Sequence, residues 1–568
     1  MRKITRKNLT FTVFLGSFIL LGALARVWGL SSSPLWTDEI STGWIASAPT
    51  FGEAFHRAAE TQGQTPFYYL LEWLVMRLLP SASWSLRLVS LLASVFSIYL
   101  TYRVCVVLFE WDGRWRKGAP YWGALTAAFF FAWHEPRIYY AQEARPYALG
   151  MMFALLSQLF FLKTFLFSHW KEDSERLDFK KASKVVIPYA LFTAAAFYCH
   201  YVLATIVLIQ NLSFLWWLSD DRILYHRETG MKWLFANCMA LIFVIPSFFH
   251  LFPVAMNGGK WNWAYLGGVA DTAECLMVSL SFWLVVAVVV LALIFHVVDG
   301  RLKAASSVDG NDAPGPVLGD KGRRGVLFFI VAWLLVPPVA AYAVTRLTTT
   351  VSFILPRYMT FAAPGFFILV AFSVVHLKNV WLERILAVLV CVACLALSSW
   401  PVYKERRVFA KRIPHNWRAA VEYVAAHSKP TDAVLIRFGV IKENWIPGGA
   451  SDNIIQYCEA PLSLFAAGAV AELEVHPLTY SYYGCFYRYY DDLVKACGDN
   501  PRIWIIGVDP PNTNYAIGAV ARIFPSSKRR MKFQKSFGGV YLCLLVKRPK
   551  PTPGVPSLLA FDISGERK

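Results

Sequence analysis

The sequence predicts an all-α polytopic membrane domain followed by a small α/β domain. Hydrophobic residues make up 56% of the 568 residues and the mean hydropathy is +0.43, which is too apolar for an ordinary soluble protein. Long apolar runs recur up to Tyr403, and the composition then changes to that of a soluble domain. We predict about eleven membrane-spanning helices, near 9–30, 85–109, 120–138, 147–168, 184–199, 201–219, 232–252, 273–298, 326–345, 358–377 and 382–402.

The distribution of Lys and Arg predicts the orientation of these helices. The segment 1–8 carries four of them, and the other segments expected inside are richer in Lys and Arg than the outer loops, as the positive-inside rule requires. The net charge of +19 therefore reflects topology, and we expect no nucleic-acid partner. Eleven spans place residues 404–568 outside the cytoplasm. The vulnerable step is 184–219, where one span instead of two would invert everything downstream.

The chain after the last span is predicted to be an extracytoplasmic α/β domain over 404–546, followed by a disordered tail over 547–568. Helical spacing and short apolar runs predict one helix over 415–427 and buried strands over 433–438, 503–508 and 540–546. Four cysteines of this domain are candidates for one or two disulfides if the compartment is oxidising: Cys458, Cys485, Cys497 and Cys543.

An amphipathic segment lies in the outer loop between the first two spans. In 51–60 the apolar residues follow helical spacing, and Glu53 and Arg57 are placed for an i,i+4 ion pair. We predict a helix lying on the outer membrane surface.

Two polar clusters are expected to emerge on the outer face. Asp38 and Glu39 form an adjacent carboxylate pair after the first span, and a second cluster, 139–147, contains Glu143 and Arg145. Charged groups poised at one membrane face indicate chemistry on a substrate delivered by the membrane. The predicted catalytic loops are accordingly 31–84 and 134–147, within a transmembrane domain over 1–403.

The motifs around these clusters resemble a known family. They are the Asp38-Glu39 pair, the segments 64–70 (QTPFYYL), 86–90 (LRLVS) and 140–147 (YAQEARPY), and the shorter matches 198–201 (YCHY) and 356–358 (PRY). Together they are similar to the polytopic glycosyltransferases of the C-type fold, in the family 39-like group around protein O-mannosyltransferases and the lipid A aminoarabinose transferase. The resemblance covers roughly residues 10–400.

The resemblance implies an inverting glycosyltransferase that takes a sugar from a polyprenyl phosphate and passes it to a hydroxyl of a protein, lipid A or a polysaccharide at the outer face of the cytoplasmic (inner) membrane. Since the leaving phosphate is already a stabilised anion, one carboxylate base suffices, and the carboxylate pair of most glycosidases is not needed. The implied partners are membrane lipids, the lipid-linked donor and the acceptor.

The catalytic group implied by the resemblance is Asp38 as base, Glu39 as its support and Glu143 as a carboxylate facing acceptor or sugar. Glu39 is expected to position a neighbouring cation or backbone group, because adjacent side chains diverge. Arg145 is a candidate for the donor phosphate. The alternatives are a helix-capping or surface role for Asp38 and an interfacial salt bridge between Glu143 and Arg145.

Further donor-binding candidates are Arg357, Tyr358 and His200. Arg357 suits a phosphate, although an arginine at the membrane interface also occurs without function. Tyr358 can donate a hydrogen bond to the same phosphate, and interfacial tyrosines are likewise common. His200, at the turn between two spans, fits phosphate or sugar, with a structural histidine as the alternative.

The acceptor region is predicted around Gln64 and Tyr68. Family members often have His near the position of Gln64, so this chain departs from the pattern there. No cofactor is firmly implied; a divalent metal near Asp38 and Glu143 is compatible with the residues but not required. The chain lacks a Gly-rich phosphate loop, which argues against a nucleotide sugar or ATP as direct substrate.

Two other classes of protein are weighed against the transferase. A transporter or flippase of a lipid-linked saccharide would also carry charges at its spans, but internal repeats and midplane charges are then expected. A sensor with a ligand-binding outer domain leaves Asp38, Glu143 and Arg357 without a common purpose. The transferase is favoured.

Overall fold

The computed structural model describes residues 6–31, 34–112, 119–165, 179–218, 227–256, 267–306, 320–348, 353–377, 379–405, 415–438, 452–466, 468, 473–478, 497–508 and 529–548. The chain divides into two compact units, Met1–Ile413 and Pro414–Lys568. The first unit is helical, and the second contains a five-stranded sheet. A helical membrane part followed by a small α/β part was predicted, and the structure confirms it.

The helices of the first unit follow one another with short connections. Their bounds are α1 Arg6–Val27, α2 Thr37–Ala46, α3 Phe51–Thr61, α4 Phe67–Leu78, α5 Ser83–Leu86, α6 Leu88–Asp112, α7 Ala119–Trp133, α8 Glu135–Ala141, α9 Tyr147–Phe165, α10 Phe179–Cys199, α11 Ala204–Leu218, α12 Arg227–Met256, α13 Val269–Leu280, α14 Phe282–Ser306, α15 Asp320–Thr348, α16 Pro356–Met359, α17 Ala363–Val375 and α18 Val380–Glu405.

Eight segments of the described chain are long and apolar enough to cross a membrane. They are Leu9–Val27, Leu88–Glu110, Tyr147–Phe165, Gly230–Phe252, Phe282–Asp299, Arg324–Thr348, Pro356–Val375 and Val380–Leu397. The shorter apolar helices include Lys184–Cys199 and Tyr201–Trp217, and α7 covers the remaining predicted span. Each predicted span thus has a helix, whereas a total of eleven membrane crossings stays a prediction.

Two predicted spans are shorter or broken in the structure. The helix predicted over 120–138 ends at Trp133, because His134 is extended and Pro136 lies in the first turn of a new helix, α8. The helix predicted over 273–298 is divided into α13 and α14 at Ser281, whose φ of 63° lies in the left-handed region. Both breaks place polar groups at the end of an apolar segment.

The weakest prediction, two helices within 184–219, agrees with the observed helices. His200 adopts an extended conformation with φ −160° and ψ 127° between α10 and a 3₁₀ turn over Tyr201–Leu203. Its ring nitrogen Nδ1 accepts the backbone N–H of Val202 at 3.2 Å, so the histidine caps the turn that leads into α11. The chain reverses here into a second helix instead of continuing the first.

The outer-loop helix α3 forms as the spacing predicts. Thr50 caps its first turn by accepting the backbone N–H of Glu53 at 3.1 Å. The predicted ion pair joins Arg57 Nε to Glu53 Oε1 at 3.0 Å. Its place on the membrane surface stays a prediction.

The second unit contains the helices α19 Trp417–His427, α20 Asp452–Cys458 and α21 Ala460–Ala466 and the strands β1 Ala433–Arg437, β2 Glu474–Pro477, β3 Arg502–Val508, β4 Arg529–Phe537 and β5 Val540–Lys547. The strand order is β2-β1-β3-β5-β4, with β1 parallel to β2 and β3, and β5 antiparallel to β3 and β4. The central strands are buried and bear the apolar runs that predicted them.

Three cysteines of this unit lie in its described part. Cys458, Cys497 and Cys543 are buried, and no disulfide joins any two of these three. Cys485 lies outside the described residues, as does the predicted tail 547–568 apart from its first two residues. The first of these, Lys547, is the last residue of β5 and not part of a disordered tail.

Candidate active site

Glu39 forms the structural anchor of the first polar cluster. Its carboxylate is 1% exposed and binds Arg87 through two hydrogen bonds, from Nε at 2.7 Å and from Nη2 at 2.6 Å. Glu39 Oε1 also accepts the backbone N–H of Ala144 at 2.9 Å. This bidentate pair fixes α2 against the start of α6 and against the loop between α8 and α9. Glu39 therefore positions a cation and a backbone group, as its sequence context predicts.

Asp38, one residue earlier, lies in a different environment. Its side chain is 29% exposed and faces two arginines. Arg357 Nη1 donates to Asp38 Oδ2 at 3.2 Å, and Arg145 Nε lies 3.9 Å from the same oxygen. The backbone carbonyl of Asp38 accepts a long hydrogen bond of 3.4 Å from Arg145. One partly exposed carboxylate is thus shared by two guanidinium groups.

Arg145 is held in place by neighbours that leave part of its hydrogen-bonding capacity unused. Nη1 donates to Gln62 Oε1 at 3.3 Å, and the guanidinium lies over the Tyr69 ring at 5.7 Å. Its buried Nε has no hydrogen-bond acceptor. Burial alone would lower the pKa of Arg145, but Tyr69 and Asp38 raise it above its ordinary value, so this side chain is cationic at any working pH.

Arg357 is the second residue of the short helix α16 and approaches Asp38 from a distant part of the chain. Its guanidinium lies 5.4 Å from the centre of the Tyr358 ring, and Tyr358 in turn lies 4.8 Å from the ring of His200. The predicted residues Asp38, Arg145, Arg357, Tyr358 and His200 therefore form one contiguous polar group, which we call the Asp38 cluster.

His200 presents a hydrogen-bond donor to the Asp38 cluster. Because Nδ1 accepts the Val202 N–H, a neutral ring carries its proton on Nε2. This nitrogen is buried without a partner in a residue that is 3% exposed. Burial, and then the positive charges of Arg357 and Arg145, lower the pKa of His200 to about 3. The ring is therefore neutral at physiological pH, with one N–H available to an anion.

Glu143 does not form the interfacial salt bridge with Arg145 that was one interpretation of the sequence. Arg145 faces Asp38 instead. Glu143 is 5% exposed; burial, opposed by a hydrogen bond with Tyr139 and reinforced by the charges of Glu39 and Asp38, raises its pKa to about 8. At neutral pH this group is mainly a carboxylic acid and therefore a poor base.

Gln64 and Tyr68 differ in accessibility. Gln64 is 8% exposed, and its buried Oε1 has no hydrogen-bond donor. Tyr68 is fully buried, and its hydroxyl shares a 2.9 Å hydrogen bond with Ser90, which donates to the carbonyl of Arg145 at 3.0 Å. In this structure Tyr68 supports the backbone of Arg145 from behind and reaches no open surface.

Sequence reasoning assigned no role to several residues that build the cluster. Arg87 was noted only as part of a motif, although an arginine at the start of an apolar helix needs a partner when buried. Gln62 and Tyr69 contact Arg145, and Thr65 donates to the carbonyl of Tyr198, which ties the loop before α4 to the end of α10. Of these residues, only Arg87 could have been assigned a role from the sequence.

A metal centre is not formed by the described side chains. Within the described ranges, no group of three or more His, Cys, Asp or Glu residues is arranged to hold a metal ion. Asp38 is engaged by Arg145 and Arg357, and a divalent metal near Asp38 and Glu143 stays a prediction.

Comparison with known proteins gave matches in structure alone. No protein-family model matches the chain, and no curated protein matches its sequence. Among solved structures, the chain is similar to ArnT from Cupriavidus metallidurans bound to undecaprenyl phosphate, with 11% identity, a TM-score of 0.48, and coverage of 94% of this chain and 98% of that one.

Two further structures show the same degree of likeness. The archaeal oligosaccharyltransferase AglB from Archaeoglobus fulgidus, in complex with an inhibitory peptide and a dolichol-phosphate, is 12% identical with a TM-score of 0.48, over 94% of this chain and 74% of that one. The arabinofuranosyltransferase AftD from Mycobacteria is 16% identical with a TM-score of 0.42, over 94% and 41%. Such likeness concerns the backbone fold alone.

Proposed function

We propose that this multi-pass membrane protein is an inverting glycosyltransferase that moves a sugar from a polyprenyl-phosphate donor to a hydroxyl acceptor at the outer face of the cytoplasmic membrane. The observation that carries the proposal is the Asp38 cluster: one partly exposed carboxylate shared by two guanidiniums, next to apolar helices that can hold a lipid tail. Such a site offers a base and an anion-binding pair to a substrate that enters from the membrane.

The donor phosphate is bound by Arg145, Arg357 and His200. Guanidiniums bind phosphate oxygens strongly, and the buried Arg145 Nε has a donor to spare. His200 Nε2 adds a neutral N–H, and the Tyr358 ring lies 4.8 Å from the His200 ring and 5.4 Å from the Arg357 guanidinium. In the absence of donor, Asp38 is the anion that these arginines share. The phosphate replaces it and so releases the carboxylate.

The released Asp38 acts as the general base. It takes the proton from the acceptor hydroxyl while that oxygen forms a bond to the anomeric carbon, and the bond from this carbon to the phosphate oxygen breaks on the opposite face. The polyprenyl phosphate leaves as an anion that the two arginines stabilise, so no general acid is required. The anomeric configuration is inverted by this single displacement.

The other residues act in support. Glu39 holds Arg87 and the Ala144 backbone so that Asp38 and Arg145 stay in register. We assign to the neutral form of Glu143 a hydrogen bond donated to the sugar or acceptor; in this form it adds no charge that would repel phosphate. Gln64, with its unused Oε1, lies on the side proposed for the acceptor.

The experiment is incubation of the purified protein in detergent or nanodiscs with polyprenyl-phosphate sugars and candidate hydroxyl acceptors, followed by mass analysis. Release of polyprenyl phosphate together with a glycosylated product is expected. Transfer of intact donor lipid between leaflets of proteoliposomes, without release of polyprenyl phosphate, would instead favour a flippase and contradict the proposal.

We also propose that the second unit lies outside the cytoplasm. Eleven spans that start from a cytoplasmic N-terminus end on the outer side of the membrane. The same topology puts Asp38 and Arg357 at one membrane face, which agrees with the contact between their side chains. A reporter enzyme that is active only outside the cytoplasm, fused after Tyr403, should be active, and the same reporter within 220–231 should be silent. The reverse pattern would contradict the topology.

A further inference from the structure

A second group of buried cations lies behind the Asp38 cluster. A small cavity, which we call the Arg137 cavity, is bordered by Arg137, Tyr140, Tyr147 and Ser94 and by apolar side chains of α7 and α9. Arg137 is 4% exposed. The rings of Tyr140 and Tyr147, 5.3 Å apart, form one wall of the cavity. This cavity takes no part in the proposed reaction.

Arg137 is a buried charge without a counter-ion. Its Nε and Nη2 are buried and have no hydrogen-bond partner, and no ion pair joins it to any described carboxylate. The ring of Tyr140 lies 5.9 Å from the guanidinium carbon, at the outer limit of a cation–π contact. Burial lowers the pKa of Arg137 to about 10, so the group remains charged at neutral pH. An unpaired buried charge is strongly destabilising.

Arg26, which shares Ser94 with this cavity, is an arginine whose hydrogen-bond donors have acceptors. It is fully buried, and it donates to Ser94 Oγ at 2.9 Å and to the carbonyls of Gly22, Phe131 and Ala132 at 2.9, 2.9 and 2.7 Å. Two of these carbonyls belong to the C-terminal turn of α7, where the helix dipole is negative. Arg26 thus uses the available acceptors, and its positive charge adds to that of Arg137.

The polar lining of the Arg137 cavity offers donors in excess. These donors are Nε and Nη2 of Arg137, which are buried without a partner. Ser94 Oγ is already occupied, since it accepts from Arg26 and donates to the Arg137 carbonyl at 3.4 Å. A cavity with surplus donors and a net positive charge selects an acceptor that carries negative charge.

We propose that the Arg137 cavity binds one small monovalent anion of the halide class, with the Arg137 guanidinium as its charged ligand. The cavity has room for one water-sized group, and a chloride ion is a small group of this kind. A water molecule fits the space but leaves the charge uncompensated. The halide closes the charge balance of Arg137 beside the rings of Tyr140 and Tyr147, and no step of the proposed glycosyl transfer requires it.

The test compares the thermal stability of the purified full-length protein in sodium chloride and in sodium gluconate at equal ionic strength. The wild type should melt on the order of 2–4 °C higher in chloride, with saturation as chloride rises. Arg137→Gln and Arg137→Met should lose this difference and be at least as stable as the wild type in gluconate. Arg77→Gln, at an exposed arginine of α4, is the matched control and should keep the chloride effect.

A measurement on the wild type alone covers the case in which the variants do not fold. Crystals grown in bromide should show an anomalous peak beside Arg137. Equal melting in both salts, a chloride effect that persists in Arg137→Gln, or bromide found only away from Arg137 would each overturn the proposal. The first outcome, with no bromide bound, would leave water as the occupant of the cavity.

Discussion

Asp38 and Glu39 are neighbours in sequence but occupy opposite kinds of environment. Glu39 is 1% exposed, and one arginine, Arg87, binds both of its oxygens at hydrogen-bond distance. Asp38 is 29% exposed, and two arginines share one of its oxygens at 3.2 and 3.9 Å. Glu39 has a complete set of partners, whereas Asp38 has looser partners and access to solvent.

This difference separates a structural ion pair from a reactive one. A buried bidentate pair is costly to break and contributes a fixed geometry. A partly exposed carboxylate between two cations can be exchanged for another anion at little cost, because the arginines keep a partner throughout.

Asp38→Asn should lower turnover by about 100- to 10,000-fold, because the amide cannot take the acceptor proton. Its melting temperature should stay close to that of the wild type, since the side chain is partly exposed. Mass analysis of released polyprenyl phosphate gives the rate, and thermal unfolding gives the stability. A folded Asp38→Asn with near wild-type turnover would remove Asp38 from the role of base.

Glu39→Gln should act on stability instead. It leaves the Arg87 charge buried without its carboxylate, at a cost of about 3–5 kcal/mol. The matched control is Glu53→Gln, which breaks the more exposed pair with Arg57 and should cost about 1 kcal/mol or less. Thermal unfolding of the purified variants compares them. If Glu39→Gln is no less stable than Glu53→Gln, the structural role of the Glu39 pair is wrong.

Arg357→Ala and Arg145→Ala should each weaken binding of a polyprenyl-phosphate donor by about 10- to 100-fold, as expected for loss of a charged hydrogen bond. Acceptor affinity should change much less. Donor titration into nanodiscs measures the effect, with Arg77→Ala as the control at an exposed arginine. Unchanged donor affinity in both variants would show that the phosphate binds elsewhere.

Glu143 should make donor binding depend on pH. With a pKa of about 8 the group is neutral below this pH and negative above it, so the affinity for a phosphodiester donor should fall severalfold as pH rises through about 8. His200, with a pKa of about 3, should add no inflection near neutrality. Glu143→Gln should abolish the dependence near pH 8. Identical pH profiles in both proteins would contradict the assignment.

Most of the fold could be predicted from the sequence, because long apolar helices and buried strands are recognised by their composition. The strands that the sequence analysis missed are β2 and β4. β2 has only four residues, and β4 is an edge strand whose basic, exposed side chains hide the alternation. The break at Ser281 was also missed, since a single left-handed residue leaves no periodic signal.

The residue types of the site could be predicted from the sequence, but which charged side chains pair with one another could not. Motifs and topology indicated that Asp38, Arg145 and Arg357 lie at one membrane face. The contact between Asp38 and Arg357, however, joins residues 319 positions apart in the sequence, and local sequence patterns do not predict contacts over such a separation. The assignment of Arg87 to Glu39, and of Arg145 to Asp38 instead of Glu143, depends on side-chain packing between α2, the start of α6 and the loop between α8 and α9. Such choices between equally charged partners are decided by burial, which periodicity does not report.

We propose that donor phosphate replaces Asp38 as the anion between Arg145 and Arg357. Titration of polyprenyl phosphate into Asp38→Asn and into the wild type tests this exchange. Asp38→Asn should bind the lipid phosphate at least as tightly as the wild type, because the competing carboxylate is gone, while its turnover is lost. A loss of lipid-phosphate binding in proportion to the loss of turnover, in a folded variant, would contradict it.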